Sequence, residues 1–253
     1  MTITTSFKPA QRVCAAVTIA AMIATPLYER SGNERVVLTH VVIGGMFALS
    51  VLVSGTGWGI KRALFAVVAV VGFTWLLEMV GSSTGIPFGS YDYSTLLRPQ
   101  VGGVPVVVPF AWLALAVPAR EVARVLGCRL VWQRVMVGSL ALTAWDVFLD
   151  PQMTAEGYWR WAVDGWYRGI PTTNYLGWMI GGAVVMWILE FVLPHRDGPL
   201  SVTPVVHYAV VGVMETVAFA IFFDDLVVAM AGAVAMLPIS VLALARMRRQ
   251  LNV

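Results

Sequence analysis

Apolar residues run along this chain in long blocks, and polar residues collect between them. Blocks of spanning length lie at Val13–Leu27, Val36–Val53, Ala63–Val80, Val104–Val117, Val131–Leu149, Pro171–Leu193, Val205–Phe223 and Leu226–Ala245. About 20 apolar residues cross the hydrocarbon core as a helix. The pattern therefore predicts an all-α fold, a polytopic transmembrane bundle of about eight spans forming a single integral membrane domain over residues 1–253. The first and fourth blocks are short. Pro105 and Pro109 predict that the fourth is kinked or only partly inserted. The last two blocks are parted only by "FFDDL", which predicts a tight helical hairpin.

Basic residues orient the bundle. With the N-terminus inside, the outer loops hold only Arg30, Arg35, Arg98, Arg160 and Arg168. The other 12 of the 17 Lys and Arg lie inside, among them Arg120, Arg124, Arg134 and Arg196. Inner loops carry the basic excess, so eight spans place both termini in the cytoplasm, and the expected location is the plasma membrane. Lys8 and Arg12 ahead of an apolar run resemble a signal peptide. No small-x-small cleavage site precedes Tyr28, so the run is expected to stay as the first span.

Composition agrees with this picture. The chain is 58% hydrophobic and 12% charged, with a mean hydropathy of +0.78; soluble domains carry about twice that charge fraction. The net charge of +3 comes without a basic arm or a nucleic-acid signature, so no nucleic-acid partner is expected. Cys14 and Cys128 are far apart and lack CxxC spacing, which argues against zinc or a redox pair. His40, His195 and His207 are scattered, and an intramembrane His207 is expected to hydrogen-bond a neighbouring helix. P-loop, dinucleotide, GxSxG, HExxH and haem-attachment motifs are absent. No cofactor and no metal are expected. No period of 20 to 50 residues repeats. Gly177 and Gly181 form a GxxxG pair that would let another helix approach closely.

In this topology the polar chemistry gathers on the outer face. Glu78 is expected in the last turn of the third helix, either as an interfacial residue reaching headgroups or as an acid altered by desolvation. Asp146 and Asp150 stand at i and i+4 in "WDVFLDPQM", on one helical face. Their repulsion could be relieved by a shared proton, a shared metal or a basic partner. Pro151 is expected to end that helix just after Asp150, which explains Asp150 as the wet end of the span but leaves Asp146 without a bland explanation. Tyr91, Tyr93, Trp145, Trp159, Trp161, Tyr167 and Trp178 crowd the same side. An interfacial belt explains about half of such aromatics; a belt, however, belongs on both faces. Aromatic faces also stabilise cations and flank elongated apolar ligands. Glu215, mid-helix in the seventh block, is either a functional acid or a structural hydrogen bonder. Glu190 is expected at the inner interface.

The strings "EMVGSSTGIPFGSYDY", "AWDVFLDPQM", "WRW" and "GWYRGIPTTNYLGW" resemble the bacterial and archaeal carotenoid biosynthesis membrane proteins that include the carotenoid 1',2'-hydratases, such as gamma-carotene 1',2'-hydratase and bisanhydrobacterioruberin hydratase. The motifs run from the third to the sixth block. The resemblance implies cofactor-independent addition of water to the terminal double bond of an acyclic carotenoid end, giving a tertiary alcohol. Its partners would be the polyene, water, membrane lipid and a pathway enzyme such as a carotenoid glycosyltransferase. An acid must protonate C2', and a second carboxylate must align water on the cationic C1'. On this reading Asp146 is the proton donor and Glu78 or Asp150 positions water. Tyr91, Trp145 and Trp178 line the cation site, Asn174 helps hold water, and Tyr93, Trp159, Trp161, Tyr167 and Glu215 complete the substrate site.

Two other functions compete. A magnesium-dependent membrane prenyltransferase would use "DVFLD" as a DxxxD motif, although Asp224–Asp225 is a poor second motif and Trp145 replaces the usual Asn. A non-catalytic carotenoid-binding or transport protein would use Glu215 and Glu190, although the polar groups collect at one face rather than along a path.

Overall fold

A computed structural model describes residues 3–4, 8–194 and 200–251. Its helices are α1 (Pro9–Ala24), α2 (Asn33–Trp58), α3 (Ile60–Thr84), α4 (Val107–Val125), α5 (Val131–Ala155), α6 (Thr172–Val192), α7 (Val202–Ile221) and α8 (Leu226–Leu251). The strands are short: β1 (Ile3–Thr4), β2 (Tyr91–Tyr93), β3 (Gln100–Val101), β4 (Val104–Pro105), β5 (Trp159–Trp161) and β6 (Leu200–Ser201). Six helices, all but α4 and α5, are long and apolar enough to cross a membrane. The protein is an all-α, multi-pass bundle. His195 and Arg196, counted above, lie outside the described residues.

The layering explains why α4 and α5 are the exceptions. Val68, Phe191 and Val234 on outer helices are 70–80% exposed, as expected where lipid is the solvent. Helix α4 instead runs through the centre, packed by α2, α3, α5, α6, α7 and α8. Every residue from Ala111 to Val125 is buried. Ala111, Ala114, Ala116, Ala119 and Ala123 keep its surface thin enough for that many neighbours. A helix shielded from lipid by protein can carry polar residues that a lipid-facing helix cannot.

Several expected boundaries move. The fourth helix starts at Val107 and extends through Arg120 and Arg124, so these arginines are helical and buried rather than in an inner loop. Arg35 is likewise not an outer-loop residue; it is buried in α2 and pairs with Glu156. Glu190 is not interfacial: it is buried and binds Arg120 at 2.7 Å and Arg134 at 2.7 Å. Helix α3 runs on to Thr84, which places Glu78 well inside it. There Gly85 takes a left-handed φ of 76° and its N–H bonds the Gly81 carbonyl at 2.8 Å, closing the helix.

Pro151 does not end α5, which continues to Ala155. A proline within a helix orphans the carbonyl four residues earlier. The Tyr167 hydroxyl donates to that carbonyl, Val147, at 3.0 Å. The same device repairs α4, where Pro118 frees the Ala114 carbonyl and Ser50 of α2 donates to it at 2.7 Å. Side chains on neighbouring elements thus let both helices continue through proline. His207 departs from expectation: it is buried, and neither ring nitrogen has a hydrogen-bond partner among the described residues. Asp225 closes the last hairpin, accepting from the Val228 N–H at 3.1 Å and from Arg168 at 2.6 Å.

Candidate functional site: an acid cluster under an aromatic cap

Strands β2 and β5 pair antiparallel, with Tyr91 opposite Trp161, Asp92 opposite Arg160 and Tyr93 opposite Trp159. Side chains alternate across a strand. In "YDY" and "WRW" the four aromatics therefore face the bundle, while Asp92 and Arg160 face out and are exposed. Tyr91 packs on Tyr93 and Trp161 with ring centroids 5.3 and 5.1 Å apart, and Tyr93 meets Trp159 edge-on at 5.8 Å. This ribbon caps a cavity of about 40 Å³ between α2, α3, α4, α5 and α6. A water needs roughly 10–15 Å³ of such space, so the cavity admits small molecules or the tip of a larger one.

Three carboxyl groups from two helices reach this cavity or the layer behind it. Glu78 is 5% exposed. Its Oε2 accepts from Tyr91 at 2.6 Å and from Tyr93 at 2.7 Å, and its Oε1 accepts from Trp112 Nε1 at 2.9 Å. Asp150, 2% exposed, accepts from Trp159 Nε1 at 2.9 Å. The Asn174 amide bridges the pair, donating to Asp146 Oδ2 at 2.8 Å and to Asp150 Oδ2 in a shorter contact. Asp146 is fully buried, and its Oδ1 has no partner among the described residues. Asp150 lines the cavity and Asp146 lies behind it, one turn deeper in α5. Among the described residues, no Arg or Lys lines the cavity. Burial, reinforced by the charge of Glu78, pushes the phenols of Tyr91 and Tyr93 well above the ordinary tyrosine range, so both stay donors to that carboxylate.

The expected site residues fall into three groups. Glu78, Tyr91, Tyr93, Asp150, Trp159, Trp161, Asn174 and Trp178 share the cavity wall, with Asp146 joined through Asn174. Trp145 and Glu215 line a second, neighbouring cavity, although Trp145 also meets Trp178 edge-on at 6.4 Å. Tyr167 lines neither; besides repairing the Pro151 gap, it packs on Tyr175 at 6.2 Å. Sequence reasoning missed Trp112, which bonds Glu78 and stacks on Trp178 at 4.0 Å and 9°. A tryptophan in the middle of an Ala-rich span was the available signal. It missed Phe88 too. An added Cβ at Gly81 or Gly177 would lie 2.7 or 2.5 Å from the Phe88 ring, and one at Gly181 would lie 2.7 Å from Leu77 of α3. The GxxxG pair thus admits the capping loop and α3 against α6.

With this geometry in view, the comparisons bear on identity. Residues 14–245 match the family described as carotenoid biosynthesis protein. The chain belongs to that family. A bisanhydrobacterioruberin hydratase from Haloarcula japonica is 33% identical over 135 residues, covering 52% of this chain and 46% of the relative. The chain thus matches about half the length of that curated relative. No solved structure matches.

Proposed function

We propose that this protein is a carotenoid hydratase, adding water across the terminal C1',C2' double bond of an acyclic carotenoid end to give a tertiary alcohol, without a cofactor. The observation that carries the reading is a ring-lined cavity holding carboxyl groups and, among the described residues, no basic side chain. The family description and the relative's name support a carotenoid as the class of substrate.

In this mechanism the Asp146–Asp150 pair supplies the proton. Two acids on one helical face, bridged by a single amide, are relieved of repulsion by holding one proton between them. That proton adds to C2' while the alkene electron pair forms the new C–H bond, leaving a cation on the tertiary C1'. The Glu78 carboxylate and the Trp112, Trp178 and Tyr91 rings face the charge as it develops. Water attacks C1', and the proton it sheds returns to the Asp146–Asp150 pair, so the enzyme ends unchanged. The Trp161 Nε1–H, which has no partner among the described residues and lies in the cavity wall, is available to orient that water.

A prenyltransferase must bind diphosphate, and the cavity wall, which among the described residues carries no Lys or Arg, favours the hydratase over it. Membranes carrying the protein, supplied with an acyclic carotenoid in heavy-oxygen water, should yield a hydroxycarotenoid bearing the label, read by mass spectrometry. The reading is abandoned if the carotenoid returns unchanged, or if a prenyl diphosphate with magnesium is turned over instead.

A further inference from the structure

The cavity beneath the cap is too small for a carotenoid, so the rest of the chain must leave it somewhere. A second cavity, of about 60 Å³, lies between the end of α1, α2, α5 and α7. It shares Ile43, Leu149 and Met153 with the first. Its wall is mostly apolar and carries Met22, Met46, Met153 and Met214. Its polar members are Thr25, Thr39, Gln152 and Glu215. Unbranched, polarisable methionines adapt to a long ligand better than branched side chains do. The packing is open here: α1 lies along α2 and α7 along α8, but α2 and α7 barely touch and α1 scarcely meets α7. An apolar polyene dissolved in lipid would meet the bundle at such a loosely packed seam.

We propose that this second cavity is the binding site for the stem of the substrate, an elongated apolar isoprenoid chain entering sideways through the seam between α1/α2 and α7. Ile43, Leu149 and Met153 form the partition its tip crosses to reach the acids. This rests on the hydratase reading for the nature of the ligand and on shared walls for the path. The arrangement puts Glu215 and Trp145 beside the stem and Asp150 and Glu78 at the reacting end.

The test uses two probes of the second cavity. In a Cys14→Ala, Cys128→Ser background, Met214→Cys lines the cavity, and Val213→Cys, on the exposed side of α7, is the control. The protein is reconstituted in phosphatidylcholine vesicles with or without lycopene and alkylated with a membrane-permeant maleimide. Lycopene should slow alkylation of Met214→Cys about tenfold and leave Val213→Cys unchanged; a tenfold effect corresponds to ~1.4 kcal/mol. Ala218→Phe, which fills the cavity, should lower lycopene retained on the purified protein by about tenfold as well. Equal alkylation with and without lycopene, or protection by lipid alone, overturns the proposal. Labelling requires no turnover, so the two readings fail separately. Protection without hydration sinks the hydratase and keeps the stem site. Hydration without protection does the reverse.

Discussion

Two clusters of buried acidic groups in this molecule are treated in opposite ways. Where the C-terminal ends of α4 and α6 meet the start of α5, Glu121 and Glu190 are enclosed with Arg120, Arg124 and Arg134. Arg120 also donates to the Leu193 carbonyl, and Arg120 and Arg124 lie over the Trp58 ring at 5.2 and 5.6 Å. Under the cap, Glu78, Asp146 and Asp150 are buried as deeply and, among the described residues, meet only neutral donors: two phenols, two indoles and one amide. A buried acid is costly without a cation. The arginine-rich cluster meets that cost with ion pairs and fixes three helices. The capped cluster leaves it unmet, which on the hydratase reading keeps its carboxyl groups available for proton transfer. Uncompensated burial is thus a better guide to the candidate site than burial itself.

The contrast can be broken most severely at Asp146. Asp146→Asn should lower hydroxycarotenoid formation by roughly 10²–10⁴-fold, the usual range for loss of a general acid, with no fall in melting temperature. Near-normal turnover by both Asp146→Asn and Glu78→Gln would remove these acids from the mechanism. At the other cluster the effects should exchange. Arg120→Met leaves Glu190 with one partner fewer and should destabilise the protein by about 3–5 kcal/mol, measured by unfolding in detergent, while activity per folded molecule persists.

A smaller effect sharpens the role of the neutral donors. Trp112→Phe removes the indole N–H from Glu78 but keeps a ring against Trp178. The expected loss is about tenfold in turnover, near the worth of a hydrogen bond to a charged group. Tyr91 and Tyr93 provide a pH test. Their folded pKa values are raised, so their contribution to stability is complete below about pH 10, where the unfolded tyrosine titrates, and is lost as pH climbs through the folded values. Melting temperature should therefore fall above about pH 10, and less steeply in Tyr91→Phe; a pH-independent difference between the two would refute the linkage. The smallest change is Ser50→Ala. It orphans the Ala114 carbonyl opposite Pro118 and should cost about 1 kcal/mol with no effect on chemistry.

Much of the candidate site was legible from spacing. Asp146 and Asp150 four apart predicted a shared face, and Glu78 near an aromatic-rich loop predicted a third acid; the structure brings all three to one cavity region. The β2–β5 ribbon was also written in the chain, as the alternation of "YDY" and "WRW", but segments so short are overshadowed by long apolar runs. Trp112 was not legible as a site residue. Its contact with Glu78 spans 34 positions and depends on how α3 and α4 cross. The opposite assignments of Glu190 and Glu215 were equally hidden. Both are acids in apolar helices, and only packing gives one two arginines and the other a cavity wall.

By itself the sequence determined the class of fold: apolar blocks of this length must be helices, because hydrocarbon offers no partner to an unpaired backbone group. It also determined that acids and aromatics approach one another near the loops after the third and fifth blocks. Tertiary structure alone decided which helix lies in the centre, since α4 is chosen by what surrounds it rather than by its own hydropathy. It likewise decided where proline could be tolerated, through Ser50 and Tyr167, and which buried acids received a counter-ion. Hydrophobicity acts residue by residue and can be read along a line. Charge compensation and hydrogen-bond repair act across space, between residues that the chain order keeps apart.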